Sequence, residues 1–191
     1  MKEESKVRVI SGSARGLKLA ALEGMNTRPT TDRVKENLFN ILAPYIEEDS
    51  KILDLFAGSG ALGIEALSRG AKSAVFCDNN DKSIDIIKNN IKKARLIDKS
   101  EVFLGEAQLI LKKLSHMGKK FDIIFLDPPY SKGIIPDILT ELEKMGILEN
   151  KIIIVAETDV EDLLPEETET LLVSRKQIYG NTKLTFYKHK G

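Results

Sequence analysis

Several residue types and patterns that mark particular classes of protein are scarce in this sequence. The 191 residues include one cysteine, two histidines and no tryptophan. The lone Cys77 excludes an internal disulfide and a metal site built on several thiolates, and two isolated histidines predict no metal either. A membrane-spanning helix needs about 18 consecutive apolar residues, and no such run is present. The first ten residues contain two acids and no apolar core, so we expect no secretory signal and a cytoplasmic protein.

The chain also lacks an excess of either charge. Lys and Arg number 29, Asp and Glu number 29, and the formal net charge is zero. The charges are unevenly distributed: residues 174–191 hold five bases and no acid, residues 1–40 carry a net +3, and residues 141–169 carry a net −8. This distribution leaves two interpretations open, a basic side suited to nucleic acid or ordinary solvated faces.

From residue 51 the sequence alternates between strand and helix patterns. Apolar runs such as IIFL and IIIV are typical of parallel strands that are buried on both faces. The last segment, residues 169–189, has the pattern of two strands around a Gly-Asn turn. The whole pattern predicts an α/β fold with a Rossmann-like, doubly wound, mostly parallel seven-stranded sheet that ends in an antiparallel hairpin.

The first 44 residues follow a different pattern and are predicted to extend this sheet domain. Residues 6–25 have the pattern of a short β hairpin, with SGSARG as its turn. Over residues 31–42 the apolar residues recur on one face of a helix. We therefore divide the chain into an N-terminal hairpin and helix, residues 1–44, and an α/β domain, residues 45–191.

A glycine-rich loop follows the first predicted strand. Gly58, Gly60 and Gly63 match the spacing G-x-G-x-x-G, and Asp78 stands 20 residues after the first of them, at the end of the second strand. Such a loop lets a ligand approach the backbone at a helix N-terminus, and the distal acid can accept hydrogen bonds from ribose hydroxyls. The spacing alone does not choose the cofactor. Asp54 would repel a pyrophosphate and attract a cation, which favours S-adenosylmethionine (SAM) with its ammonium and sulfonium groups.

The fourth predicted strand ends in Asp127-Pro128-Pro129-Tyr130. Two prolines stiffen this loop and leave its carbonyls as acceptors. A carboxylate and a carbonyl that accept both N–H groups of an exocyclic amine localise the lone pair of its nitrogen, and a tyrosine offers a face for a flat base. Because ligands bind at the carboxyl ends of the strands in such sheets, we expect this loop beside the glycine loop. The sequence therefore predicts methyl transfer from SAM to an amine.

Two pairs of segments resemble known proteins. DLFAGSG at 54–60 with DPPY at 127–130 resembles class I SAM-dependent methyltransferases that act on exocyclic amines. RVISGSARGLKL at 8–19 and TRPTTDRVKENLFNIL at 27–42 resemble the RsmD family, the bacterial 16S rRNA guanine-N2 methyltransferases. The resemblance implies an enzyme that takes SAM as co-substrate and acts on 16S rRNA. We further expect a monomer that needs no metal and acts on the rRNA within a 30S assembly particle.

The resemblance also implies roles for individual residues. Those implied to hold SAM are Asp54, Phe56, Gly58 and Gly60 at the methionine part, Asp78 and Asn79 at the ribose, and Glu106 and Ala107 beside the adenine. Those implied to hold and methylate the amine are Asp127, Pro128, Pro129 and Tyr130. Those implied to contact the RNA substrate are Arg15, Arg28, Thr30 and Arg33.

The acceptor stays open at this point, because DPPY is shared with other enzymes. The alternatives are adenine N6 in DNA or RNA and the side-chain amide of a protein glutamine. A nicotinamide dehydrogenase fits the glycine spacing but is opposed by Asp54 and by DPPY. A non-catalytic RNA-binding module is a further alternative, and it predicts that Asp127 is dispensable.

Overall fold

The computed structural model describes residues 7–22, 31–129 and 133–191. The helices are α1 (Asp32–Leu42), α2 (Ala61–Ser68), α3 (Asp81–Lys93), α4 (Ala107–His116) and α5 (Ile134–Lys144). The strands are β1 (Lys51–Asp54), β2 (Ser73–Asp78), β3 (Ser100–Leu104), β4 (Phe121–Leu126), β5 (Leu148–Asp159), β6 (Leu171–Tyr179) and β7 (Thr182–His189). Within these ranges no helix is both long and apolar enough to cross a membrane.

The seven strands form one sheet in the order β3-β2-β1-β4-β5-β7-β6. The first five strands pair in parallel, and β7 pairs antiparallel with both β5 and β6. The chain runs outward from β1 to β3 and then returns to β4 on the other side of β1, and such a reversal opens a crevice at the carboxyl ends of the strands. This arrangement confirms the predicted mostly parallel sheet with an antiparallel hairpin at its end.

Helices cover both faces of the sheet, because the central strands are apolar on both sides. One core contains residues of α1, α2 and α3, such as Leu38, Ile64 and Ile87. The other contains residues of α4 and α5, such as Leu111 and Ile138. Strands with two buried faces between helix layers are the expected structure of a parallel sheet.

The segment before α1 forms the predicted hairpin in a short form. One isolated bridge joins Arg8 and Lys18, and the N–H of Val9 donates to the carbonyl of Leu17 at 3.0 Å. Val9 and Leu19 are buried in the core that also holds α1 and one face of the sheet. The N-terminal extension is therefore packed on the α/β domain without a separate core.

Glu65 and Ser68 of α2 hold the turn of this hairpin. The buried carboxylate of Glu65 accepts hydrogen bonds from the N–H groups of Ile10, at 2.8 Å, and Ser11, at 3.0 Å. Gly12 has a φ of +87°, and a Cβ at this position would lie 1.8 Å from the carbonyl oxygen of Ser68. The close approach of the two backbones therefore requires glycine in the turn.

Candidate active site

A cavity of about 500 Å³ opens at the carboxyl edge of the sheet, beside β1. The loops after β1, β2, β3 and β4 all contribute to its lining, as the sequence predicts for a ligand site. Its volume lies within the range of about 300–1,000 Å³ that is typical of small-molecule sites. The predicted site residues that line it are Asp54, Phe56, Gly58, Asp78, Asn79, Glu106, Ala107, Asp127, Pro128 and Pro129.

Asp54, at the end of β1, is buried beneath the glycine loop. Its Oδ2 atom accepts a hydrogen bond of 3.0 Å from the N–H of Gly63, the third residue of α2. Burial raises the pKa of Asp54 to about 7, against the hydrogen bond from Gly63, and the carboxylate of Asp78 adds to the rise. The N–H of Gly63 is one of the donors that a helix N-terminus would offer to a pyrophosphate, and the protein's own carboxylate already uses it. This contact opposes the dinucleotide alternative.

The three glycines of the loop are needed for different structural reasons. Gly58 and Gly60 have φ angles of +56° and +80°, so both adopt left-handed backbone conformations that favour glycine. Gly60 is the N-cap of α2 and lies outside the cavity lining, although the sequence places it with the SAM-binding residues. A Cβ on Gly63 would lie 2.3 Å from the ring of Phe76 on β2, so this glycine lets α2 pack closely against the sheet.

The carboxylate of Asp78 connects the first two loops. Its Oδ2 accepts from the N–H of Gly58 at 2.9 Å, and its Oδ1 accepts from the N–H of Asn80 at 3.0 Å. A carboxylate oxygen has room for a second hydrogen bond, so both oxygens keep capacity for a ligand's hydroxyl groups. Next to it, the side-chain amide of Asn79 donates to Glu106 at 3.1 Å, which joins the loops after β2 and β3.

Asp127 follows β4 directly and brings a second acid to the same cavity. Burial raises the pKa of Asp127 well above its ordinary range, and the carboxylates of Glu157 and Asp54 raise it further. Pro128 is buried, Pro129 is exposed, and both line the cavity. Two poorly solvated carboxylates in one cavity repel each other, so a bound cation would stabilise both ionised forms.

Lys35 of α1 also lines the cavity, although sequence reasoning missed it. Its Nζ donates to the carbonyl of Arg8 and lies 3.6 Å from Oε2 of Glu65, with both side chains almost completely buried. Burial lowers the pKa of Lys35, and the carboxylate of Glu65 opposes this effect. The sequence contains one signal for this buried lysine. Lys35 lies three residues before Leu38 and seven before Leu42, on the apolar face of the predicted helix.

Asn90 on α3 is a second residue that sequence reasoning missed. Its side-chain Nδ2 donates to the carbonyl of Ser59 in the glycine loop at 2.8 Å and to the carbonyl of Ala20 at 2.9 Å. Its Oδ1 accepts from the N–H of Ala20 at 2.9 Å. Asn90 therefore fixes the N-terminal segment, whose residues Val7 and Ala21 line the cavity, to the glycine loop.

The structure describes two of the four residues predicted to contact the substrate, and neither lines this cavity. Arg15 and Arg33 are exposed and lie outside its lining. Arg28, Thr30 and Tyr130 lie outside the described residues, as do residues 6 and 23–25 of the predicted hairpin.

The sheet order and the two acidic loops at one cavity define a Rossmann-like methyltransferase domain. A solved structure named "Putative methyltransferase yhhF" from Escherichia coli is similar over 97% of this chain and 98% of its own, with 32% identity and a TM-score of 0.83. A putative methylase HI0767 from Haemophilus influenzae is similar over 97% and 99% of the two chains, with 32% identity and a TM-score of 0.79.

The chain belongs to the family described as "Conserved hypothetical protein 95", whose sequence model matches residues 7–188. It is 44% identical over 185 residues to the "Putative rRNA methyltransferase YlbH" of Bacillus subtilis, covering 97% of this chain and 100% of the relative. It is 35% identical over 189 residues to the "Ribosomal RNA small subunit methyltransferase D" of Escherichia coli K12, covering 96% and 90%. These matches confirm the assignment to the RsmD family that the sequence motifs suggest.

Proposed function

We propose that this protein transfers a methyl group from SAM to the exocyclic N2 amine of a specific guanine in 16S rRNA. One observation supports the chemistry most directly: the glycine loop with Asp54 and the Asp127-Pro128 loop line the same cavity. The names of the full-length relatives support small-subunit rRNA as the substrate. The resemblance of residues 8–19 and 27–42 to the RsmD family supports guanine N2 as the acceptor.

The residues of the cavity fit SAM as the co-substrate. When bound, SAM supplies an electrophilic methyl group on a sulfonium. Asp54 would face its cationic methionine part, and Asp78 would accept hydrogen bonds from its ribose, since both oxygens of Asp78 have acceptor capacity left. Asn79 would lie beside Asp78 at the ribose, and Glu106 and Ala107 would border the adenine in this assignment. Lys35 adds little positive charge because Glu65 and the carbonyl of Arg8 already hold its ammonium group.

Asp127 and the carbonyl of Pro128 would hold the target amine through its two N–H groups. These acceptors favour a pyramidal nitrogen, whose lone pair then points at the methyl carbon. The bond between carbon and sulfur breaks as the bond to nitrogen forms, and one N–H proton leaves. The raised pKa of Asp127 makes its carboxylate a stronger base for that proton than an ordinary aspartate. Tyr130, which follows the prolines, would stack on the base, and the target guanine would have to leave its stack to enter.

The test is a transfer assay with SAM labelled in its methyl group. The acceptors are 16S rRNA and 30S particles from cells that lack the protein, with naked DNA and a release factor as alternative acceptors. We expect label on rRNA and N2-methylguanine after digestion to nucleosides. Label only in N6-methyladenine or in methylated glutamine would contradict the proposal, and calorimetric binding of NAD without binding of SAM would contradict the whole class of reaction.

A further inference from the structure

A groove runs along one side of α1, between this helix and the β6–β7 hairpin. Two adjoining cavities, of about 640 and 380 Å³, form the groove and share Tyr179 in their linings. Its floor is the sheet face that carries Gln177 of β6 and Phe186 of β7. Its wall consists of α1 and the helical turn that follows, with Asn40 and Tyr45.

The groove is positively charged. Its lining among the described residues contains three basic side chains, Arg33, Arg175 and Lys188, and no carboxylate. All three basic residues are exposed, and none is in an ion pair with an acid in the described ranges. An unpaired cation on a carboxylate-free surface suits a phosphate, because no neighbouring anion has to be displaced.

The structure divides the five bases of the basic stretch 174–191 into two groups. Lys176 and Lys190 are in ion pairs with carboxylates, and Lys183 is almost buried and donates to backbone carbonyls. Arg175 and Lys188 remain, and both line the groove. The positive charge that is available to a ligand is therefore concentrated there.

The groove begins at the sheet edge that also holds the active-site cavity. Its first part includes Thr182, which pairs with Asp159 at the carboxyl end of β5. α1 separates the two sites, with Lys35 in the lining of the active-site cavity and Arg33 in the lining of the groove. The groove and the active-site cavity therefore adjoin the same part of α1.

Tyrosines complete a surface for single-stranded nucleic acid. Tyr45 is 48% exposed at the far end of the groove, and Tyr179 lies half-buried where the two cavities meet. Aromatic side chains beside a basic track stack on bases of any sequence. Acids follow at positions 47–49, so the track that favours phosphate ends near Tyr45.

We propose that this groove binds the single-stranded rRNA that flanks the target guanine. Arg33, Arg175 and Lys188 contact its phosphates, and Tyr45 stacks on one of its bases. The inference rests on the proposed function, because it takes the strand in the groove to be the one that enters the active site. It adds a location for the flanking RNA, away from the SAM-binding loops.

The test compares two double variants that remove the same charge. Arg175→Ala/Lys188→Ala changes the groove, and Lys176→Ala/Lys190→Ala removes two paired lysines outside its lining. Binding to a 16S rRNA transcript is measured over a series of KCl concentrations. We expect the groove variant to bind about 10-fold more weakly, with the slope of log affinity against log salt reduced by about 0.7 for each lost contact to a single strand.

The steady-state kinetics and a tyrosine pair give independent readouts. The groove variant should raise KM for rRNA while kcat at saturating rRNA and the Kd for SAM stay unchanged. Tyr45→Ala should weaken rRNA binding about 5-fold or more, and Tyr45→Phe, which keeps the ring, should bind as the wild type does.

Equal effects of the groove and control variants on affinity and salt slope would overturn the inference. So would weaker binding of the groove variant to 30S particles with unchanged binding to naked 16S rRNA, since that result assigns the groove to a ribosomal protein. The salt series needs no catalysis. If the wild type binds rRNA through the groove but transfers no methyl group to rRNA, the proposed function fails separately from the groove.

Discussion

The buried carboxylate of Asp54 makes the stability of this protein depend on pH in a specific way. Burial raises the pKa of Asp54 from 3.8 to about 7. Between these values the folded protein holds more protons at this site than the unfolded chain, so the free energy of unfolding falls as pH rises and then levels above pH 7. Since one pKa unit corresponds to about 1.36 kcal/mol, ionised Asp54 costs the folded protein about 4 kcal/mol.

Asp54→Asn removes this ionisation and keeps an oxygen that can accept the N–H of Gly63. We expect the variant to exceed the wild type in stability by up to about 4 kcal/mol at pH 8, with the difference growing by about 1.4 kcal/mol per unit between pH 5 and pH 7. Urea unfolding followed by circular dichroism, without SAM, measures it at each pH. Asp85→Asn, at an exposed position on α3, is the matched control. A difference for Asp54→Asn that stays constant with pH would refute the reasoning.

Asp54→Asn should stabilise the protein and at the same time weaken its binding of SAM. Asp54→Asn removes the charge that we assign to the cationic part of SAM, so we expect SAM to bind about 10- to 100-fold more weakly, as for a lost hydrogen bond to a charged group. Isothermal titration with SAM measures the change. Unchanged affinity would show that Asp54 does not face the cation.

Four further predictions follow from the geometry. Asp127→Ala should lower kcat by about 10²-fold or more with little change in the Kd for SAM, because a preorganised acceptor is lost; an unaffected rate in the transfer assay would show that Asp127 does not hold the amine. The rate of the wild type should rise with pH over the range in which Asp127 ionises, and a rate that falls there would contradict its role as acceptor. Glu65→Gln should cost about 3–5 kcal/mol in urea unfolding because Lys35 stays buried without its partner, and Glu65→Gln/Lys35→Met should recover part of the loss; no recovery would show that this ion pair is not the cause. Gly12→Ala should cost about 2 kcal/mol and more than Gly16→Ala, since both have positive φ but only Gly12 meets the backbone of Ser68; equal losses in thermal unfolding would contradict the close-packing argument.

Much of the fold could be predicted from local patterns in the sequence. The apolar residues of α4, Ala107–His116, recur at helical spacing, which is the pattern that predicts a helix there. The apolar run IIIV at residues 152–155 predicts a buried strand, and β5 extends around it from Leu148 to Asp159. Most residues on either side of that run are polar and give no strand pattern. Leu148 pairs with β4, and Thr158 and Asp159 pair with β7, so tertiary pairing extends the strand beyond the apolar run.

The site residues that could be predicted from the sequence are those that stand at the end of a predicted strand. Asp54, Asp78 and Asp127 lie at the ends of β1, β2 and β4, and one rule about parallel sheets brings them to one edge. Lys35 and Asn90 could not be assigned in this way, because their contacts depend on how α1 and α3 pack against the N-terminal hairpin. Their signal was only a polar side chain on an apolar helix face.

The basic C-terminal stretch shows the same limit for surface charge. Its five bases are equivalent in the sequence, whereas the structure pairs Lys176 and Lys190 with acids of the segment before β6. Those acids belong to the stretch 141–169, whose net charge is −8. Zero net charge is therefore compatible with a local positive groove, because carboxylates outside the groove lining pair with Lys176 and Lys190.

The most direct test of the central claim is a modification map of 16S rRNA by mass spectrometry in cells that lack this protein. We predict that one N2-methylguanine disappears, returns when the wild-type chain is supplied, and stays absent with Asp127→Ala expressed at the same level. A complete set of N2-methylguanines in the cells that lack the protein, or full restoration by Asp127→Ala, would contradict the account.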